Sequence, residues 1–288
     1  MRSYLFKIGF FELRIYSLMY IIALLLAIYI AKRDDVIKKK GITSVKDIED
    51  FAVTALFSGL IGARIYYVLF RWDYYGQNIA DIIAVWKGGL AIHGGIIGGL
   101  IGAYIFSKIK GYKLFDLTDM SVGPLILGQA LGRIGNFANG EIHGVPTFTP
   151  LKVIFTGTFS KWWEYYNSLP LAEQANYKTN VPWGVVFPQD TPAGIEFPSY
   201  PLHPAMIYEM ILNFIAFLLI WFFFRKKEYK SGILTMIYLI AYGIIRVFVS
   251  TFRAEDLRFY GIRAPYLISF IMIIIGIIGI WKINTKKQ

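Results

Sequence analysis

Seven stretches of this chain, at roughly 14–31, 51–70, 88–107, 117–137, 203–224, 231–250 and 264–281, are each about as long and as apolar as a bilayer-crossing helix. Such runs constrain the fold more than any motif does. In hydrocarbon every backbone N–H and C=O must be bonded within the protein, which leaves only helices and closed barrels. Runs of about 20 largely apolar residues are read as helices. Composition agrees: 56% of the 288 residues are hydrophobic and 17% charged, against about a quarter charged in an ordinary soluble domain. The expected fold class is an all-α polytopic membrane protein of seven transmembrane helices, one membrane domain over 1–288. The first run is read as a retained helix, because its basic cluster follows the apolar residues and no small-residue cleavage site appears. The absence of cysteine excludes a disulfide framework, a thiolate metal site and a catalytic thiol within this chain.

Lysine and arginine set the expected orientation. Segments 32–50, 107–116, 225–230 and 282–288 hold 16 basic residues in 42 positions, whereas 1–13, 71–87, 140–202 and 251–263 hold 10 in 106. The first group is therefore expected in the cytoplasm, with the N-terminus outside and the C-terminus inside. Segment 140–202, rich in Trp, Tyr and Pro, becomes a small periplasmic head insertion at the outer interface. The net charge of +11 reads as a topology signal and an attraction to anionic lipid, not as a nucleic-acid surface. Gly94, Gly98 and Gly102 recur at four-residue spacing in the third run, as a helix-packing face would.

Charged and polar groups inside a span are costly and need a partner or a task. With the orientation above, Tyr16, Arg64, His93, Arg133, His203, Glu209 and Arg246 all fall in the outer half of the bilayer, and the inner half holds almost none. Each has a plain explanation. Arg64 can snorkel, Glu209 can pair with a neighbouring arginine, His203 can cap a helix start before Pro204, and His93 can be a satisfied histidine buried among glycines. Convergence on one side argues for a site. Several arginines together in low dielectric repel unless an anion lies between them, and the planar guanidinium fork matches phosphate. The densest constellation is Gly132-Arg133-Ile134-Gly135-Asn136-Phe137-Ala138-Asn139-Gly140-Glu141-Ile142-His143-Gly144. On a helix Arg133 and Asn136 share a face. Gly135, Gly140 and Gly144 are expected to let the chain leave the helix and bend back across the mouth.

This stretch resembles the signature of the prolipoprotein diacylglyceryl transferases of bacterial inner membranes. RIYSLMY with Tyr16, GARIYYVLF with Arg64, GGLAIHGG with His93, HPAMIYE from His203 to Glu209, and YGIIRVFVSTFR with Arg246 resemble its other landmarks, in the same order. The resemblance implies seven spans with an outside N-terminus. It also implies transfer of the diacylglyceryl group of phosphatidylglycerol to the lipobox cysteine thiol of a prolipoprotein signal peptide, forming a thioether and releasing glycerol phosphate. No metal or diffusible cofactor and no nucleic-acid partner is implied. The location implied is the cytoplasmic (inner) membrane, with the active site towards the outer leaflet. His93, Arg133 and Arg246 are the expected catalytic residues. Tyr16, Arg64, Arg133, Asn136, Asn139, Glu141, Gly144, His203, Glu209 and Arg246 are expected to bind phosphatidylglycerol. One position departs: many family members have a glutamate where Ser250 stands, four residues after Arg246. Glu255 and Asp256 are nearby but not equivalent, so Glu209 or Glu141 is left to pair with Arg246. His143 is left unassigned.

Two other classes remain open on the residues alone. A lipid or anion transporter would need polar groups continuing into the inner half. A scaffold binding anionic lipid would leave the histidine, tyrosine and asparagine unexplained.

Overall fold

The computed structural model describes residues 4–8, 11–227, 229–254, 258–259 and 262–285. The chain is mostly helical and divides into two compact units, one formed by 26–124 and the other by 1–25 with 125–288. The chain begins with β1 (Tyr4–Ile8) and β2 (Phe11–Arg14), an antiparallel pair with Phe6 opposite Leu13. Helix α1 (Ile15–Lys32) follows.

The 26–124 unit contains the end of α1, then α2 (Asp35–Lys39), α3 (Val45–Phe70) and α4 (Trp72–Tyr75). Two 3₁₀ turns follow (Ile79–Ile83, Val85–Lys87), then α5 (Ile92–Lys110) and the first part of α6 (Leu114–Asn139). Local chemistry sets the ends. The Ser44 hydroxyl accepts the Asp47 amide at 3.2 Å to start α3, and Gly111 at φ +75° stops α5 in the left-handed conformation that glycine enters without strain. Helices α3 and α5 pack backbone to backbone. A Cβ at Gly94 would stand 2.3 Å from the Gly62 carbonyl oxygen, and one at Gly98 would stand 2.3 Å from that of Ser58. The expected small-residue face is thus the contact itself. Ile37, Ile42, Phe51, Phe106 and Leu117 form a core at one end of this unit, where Lys40 reaches Asp116 at 3.2 Å and Asp119 at 3.1 Å.

In the other unit, α6 leads into segment 140–202, which holds α7 (Leu151–Thr156), α8 (Phe159–Ser168), α9 (Leu171–Gln174) and α10 (Pro192–Glu196). Its core is Val145, Ile154, Phe159, Phe187, Ala193, Phe197 and Leu202. Rings of Phe148, Trp162, Trp163, Tyr166 and Tyr200 lie against one another at 4.9–6.4 Å. The chain then forms α11 (Ala205–Leu219), a π turn (Ile220–Phe224), α12 (Ile233–Phe252), the short antiparallel pair β3 (Arg258–Phe259) and β4 (Ile262–Arg263), and α13 (Ala264–Thr285). Helices α12 and α13 meet at Gly243 and Gly276, where added Cβ atoms would collide with Ile273 and Ile240.

Among the described residues five helices are long and apolar enough to cross a membrane: Val45–Phe70, Ile92–Lys110, Ala205–Phe224, Ile233–Phe252 and Ala264–Thr285. Their large apolar side chains are exposed in the protein, as with Ile271, Ile274, Ile275 and Ile278 of α13, which suits a hydrocarbon solvent. The expected run at 117–137 is a helix of 26 residues, but its Asp, Thr, Gln and Arg lower its hydropathy. The two β pairs lie in segments expected as loops. Gly88 and Gly89 fall in a loop ahead of α5, not in the helix as the third run had placed them.

Candidate active site

The end of α6 builds the first part of the site. Arg133 Nη1 donates to Asn136 Oδ1 at 2.8 Å, as one helical face three residues apart allows. Asn136 Nδ2 passes the chain on to Glu141 Oε2 at 3.1 Å, and Asn139 Nδ2 reaches Glu141 Oε1 at 3.2 Å. The turn that returns Glu141 is closed by its own amide on the Asn136 carbonyl at 2.9 Å, with Gly140 at φ +65°. Gly135, expected to break the helix, is an ordinary residue of α6. Helix hydrogen bonding carries through it because nothing forces glycine out of the helical region.

Glu209, fully buried in α11, joins the other two helices. Its Oε1 accepts Arg133 Nη2 at 2.6 Å and its Oε2 accepts Arg246 Nη1 at 3.2 Å. It therefore meets the need for an acidic partner of Arg246 that Ser250 cannot supply. Glu141 bonds to the two amides instead. These three charged side chains sum to +1. Tyr242, one turn before Arg246, lies among all three.

His203 is not in the helix; it precedes Ala205 and lies outside the candidate span. Its amide donates to the Val145 carbonyl at 3.0 Å, and its Nδ1 lies 3.0 Å from the Tyr208 hydroxyl, which also accepts Trp183 Nε1–H at 2.9 Å. Burial pushes the His203 imidazole down to about 4, so it is neutral at physiological pH. Gly144 lies between His203 and α12. Its amide bonds to the His203 carbonyl at 2.8 Å, and a Cβ there would stand within 2.7 Å of His203 and of the Phe252 carbonyl. His143 pairs with Glu196 at 2.8 Å. Buried Arg263 donates to the carbonyls of Ser250 and Arg253 at the end of α12, where a cation complements the helix dipole.

In the 26–124 unit, Arg64 does not snorkel. It is buried and donates to the main-chain carbonyls of Asp81, Ile82, Ala84, Gly88 and Gly89. His93, expected to be buried, is exposed on the first turn of α5, its ring centre 6.0 Å from that of Tyr66. The neighbouring glycines face α3, which turns the imidazole outward. Tyr16 falls in the first turn of α1, and its side chain lies outside the described residues, as do Glu255 and Asp256.

Sequence reasoning passed over four polar groups of the same helices. Gln129 Nε2 donates to the Tyr238 hydroxyl at 2.8 Å, Tyr238 stacks on Tyr242, and the buried Asn213 amide has no partner among the described residues. Their signal was spacing. Gln129, Asn213 and Tyr242 each lie four residues from Arg133, Glu209 or Arg246, on the same helix faces. Among the described residues no three His, Asp or Glu gather to hold a metal ion.

Residues 3–282 match the family model described as prolipoprotein diacylglyceryl transferase. The chain is 52% identical over 283 residues to a phosphatidylglycerol–prolipoprotein diacylglyceryl transferase of Fusobacterium nucleatum subsp. nucleatum, covering 97% of each chain. It is 34% identical over 278 residues to a protein of the same name from Fervidobacterium nodosum, covering 96% of this chain and 82% of that one. A third, from Thermotoga maritima, is 29% identical over 288 residues, covering 99% of this chain and 86% of the relative.

Proposed function

The chain belongs to the prolipoprotein diacylglyceryl transferase family and is a multi-pass membrane transferase acting on phosphatidylglycerol and prolipoproteins, the first step of lipoprotein maturation; from that premise we propose how its residues carry the reaction. The acceptor is the thiol of a lipobox cysteine in the signal peptide. The thiol proton passes to His93, the sulfur attacks the glyceryl carbon bonded to the phosphate oxygen, and a carbon–sulfur bond forms. The carbon–oxygen bond breaks, its electron pair stays on the phosphate, and glycerol phosphate leaves with one more negative charge.

The observation that carries this reading is Glu209 held between Arg133 and Arg246. A phosphodiester carries one negative charge, and these three side chains together carry one positive. As the leaving phosphate gains charge, two planar forks already in place stabilise it, and preoriented groups of this kind usually supply the largest part of catalysis. Asn136, Asn139 and Glu141 offer amide and carboxylate groups for the glycerol hydroxyls. Gly144, His203 and Tyr16 are assigned to the same lipid. A thiol of pKa about 8.5 needs a base near neutral pH, and the exposed imidazole of His93 is assigned that role.

In this proposal α1 and α6 complete seven spans in the bacterial inner membrane, with the N-terminus outside, the C-terminus in the cytoplasm and the head at the outer face. The reacting groups face the outer leaflet, where both substrates lie. The comparisons lend nothing to the transporter reading. Incubating the protein with phosphatidylglycerol and a lipobox peptide should raise the peptide mass by one diacylglyceryl unit. Modification of a peptide with serine in place of the cysteine would rule out thioether formation.

A further inference from the structure

Arginine has five N–H donors in a rigid fork and no acceptor. In Arg64 all five meet main-chain carbonyls of one loop. Nε donates to Ile82 at 2.8 Å, Nη1 to Gly88 at 2.6 Å and Gly89 at 2.9 Å, and Nη2 to Asp81 and, at 3.4 Å, to Ala84. The Tyr75 ring lies 5.1 Å from its guanidinium carbon. These carbonyls lie in and just after two 3₁₀ turns, where the last oxygens are left without a helical continuation; that of Asp81 also accepts the Ala84 amide at 3.1 Å. A permanent cation satisfies them and leaves no N–H for a phosphate oxygen.

We propose that Arg64 is a positioning residue for the transfer reaction, not a lipid contact: it fixes the 79–91 loop and thereby the placement of His93. The link is short. Gly89 is held by Arg64, the Ala91 amide bonds to the Ala63 carbonyl at 3.1 Å, and His93 follows two residues later. The loop is fitted to the side chain. Gly88 and Gly89 have φ of +85° and +81°, and a Cβ at Gly89 would stand 2.7 Å from Arg64 Nη1 and 2.6 Å from the Tyr67 ring. A displacement of about 1 Å at a reacting group can cost about a hundredfold in rate. The proposal rests on His93 being the proton acceptor.

The test compares Arg64→Lys, Gly89→Ala and His93→Gln with the unmodified full-length enzyme in nanodiscs, using phosphatidylglycerol and a lipobox peptide. Lysine keeps the charge but cannot hold five carbonyls. At neutral pH, Arg64→Lys is expected to lower kcat by about 30-fold, with KM and equilibrium binding for phosphatidylglycerol within about twofold. Near pH 9.5 the peptide thiol, with a pKa of about 8.5, ionises without help. The activity of Arg64→Lys relative to the unmodified enzyme should then recover about tenfold, in parallel with His93→Gln. Gly89→Ala disturbs the same clamp from the loop side and should show the same recovery, and it decides the matter if Arg64→Lys does not fold. A pH-independent loss in Arg64→Lys and Gly89→Ala, beside recovery in His93→Gln, overturns the positioning role. Weakened lipid binding in Arg64→Lys overturns it too, by making Arg64 a lipid contact. Near-normal turnover of His93→Gln at neutral pH removes the proton-acceptor reading instead, and this proposal with it.

Discussion

Two parts of this molecule place guanidinium groups inside apolar helices, and they neutralise them differently. Arg64 is surrounded by five carbonyl dipoles of a single loop. Arg133 and Arg246 share one buried carboxylate, with an asparagine beside the first. Carbonyls fixed in a loop are structural partners, so the cation is locked to the backbone it orders. A carboxylate between two cations is an electrostatic arrangement that an incoming anion can join. The same residue type thus meets backbone dipoles in one unit and a buried carboxylate in the other.

The largest effect should come from the pair. Arg133→Ala or Arg246→Ala is expected to lower transfer by about 10³-fold, roughly 4 kcal/mol of transition-state stabilisation, in a mass assay of peptide product. The lysine variants should recover little, because the fork is lost. Full activity of either lysine variant would erase the distinction between fork and point charge. Next is Glu209→Ala, which leaves two guanidinia facing each other without their carboxylate. Loss of one partner of a buried pair costs about 3–5 kcal/mol, readable as a lower melting temperature in detergent. An unchanged melt would mean that the two cations do not depend on it.

His203 extends the comparison to a buried group that avoids charge altogether. Burial holds its imidazole at about 4, against 6.5 when unfolded. As pH falls below about 6.5 the unfolded chain takes up the proton first. Stability should therefore be full above that pH and decline towards pH 4, by roughly 3 kcal/mol at most. Thermal melts across this window test it, and His203→Gln should flatten the slope. The smallest effect belongs to the glycine contact that supports the Arg64 loop. Gly98→Ala would set a Cβ against the Ser58 carbonyl and should destabilise by about 1–3 kcal/mol, seen by melting, with lipid affinity unchanged.

Several features of the fold are legible in the sequence. The apolar runs marked the helices, although α3 starts at Val45 and α5 at Ile92, because caps and positive-φ glycines set boundaries that hydropathy does not. The Arg133–Asn136 contact followed from helical spacing alone, and the glycine spacing gave the α3–α5 contact. The partner of Arg246 did not follow, since Glu209 lies 37 residues away and only packing of α11 on α12 selects it over Glu141. The partners of Arg64 did not follow either, because they are main-chain carbonyls, which have no residue signature.

By itself the sequence determined that the chain lives in a bilayer as helices, which residues recur on each helix face, and to which family it belongs. The first two follow from composition and local periodicity, and the family from the motifs that resemble its signature. Tertiary structure alone decided which arginine meets a carboxylate and which meets a loop, and that His93 faces outward. Hydrogen-bond partners far apart in the chain are chosen by how whole helices pack, and main-chain acceptors are the same at every residue.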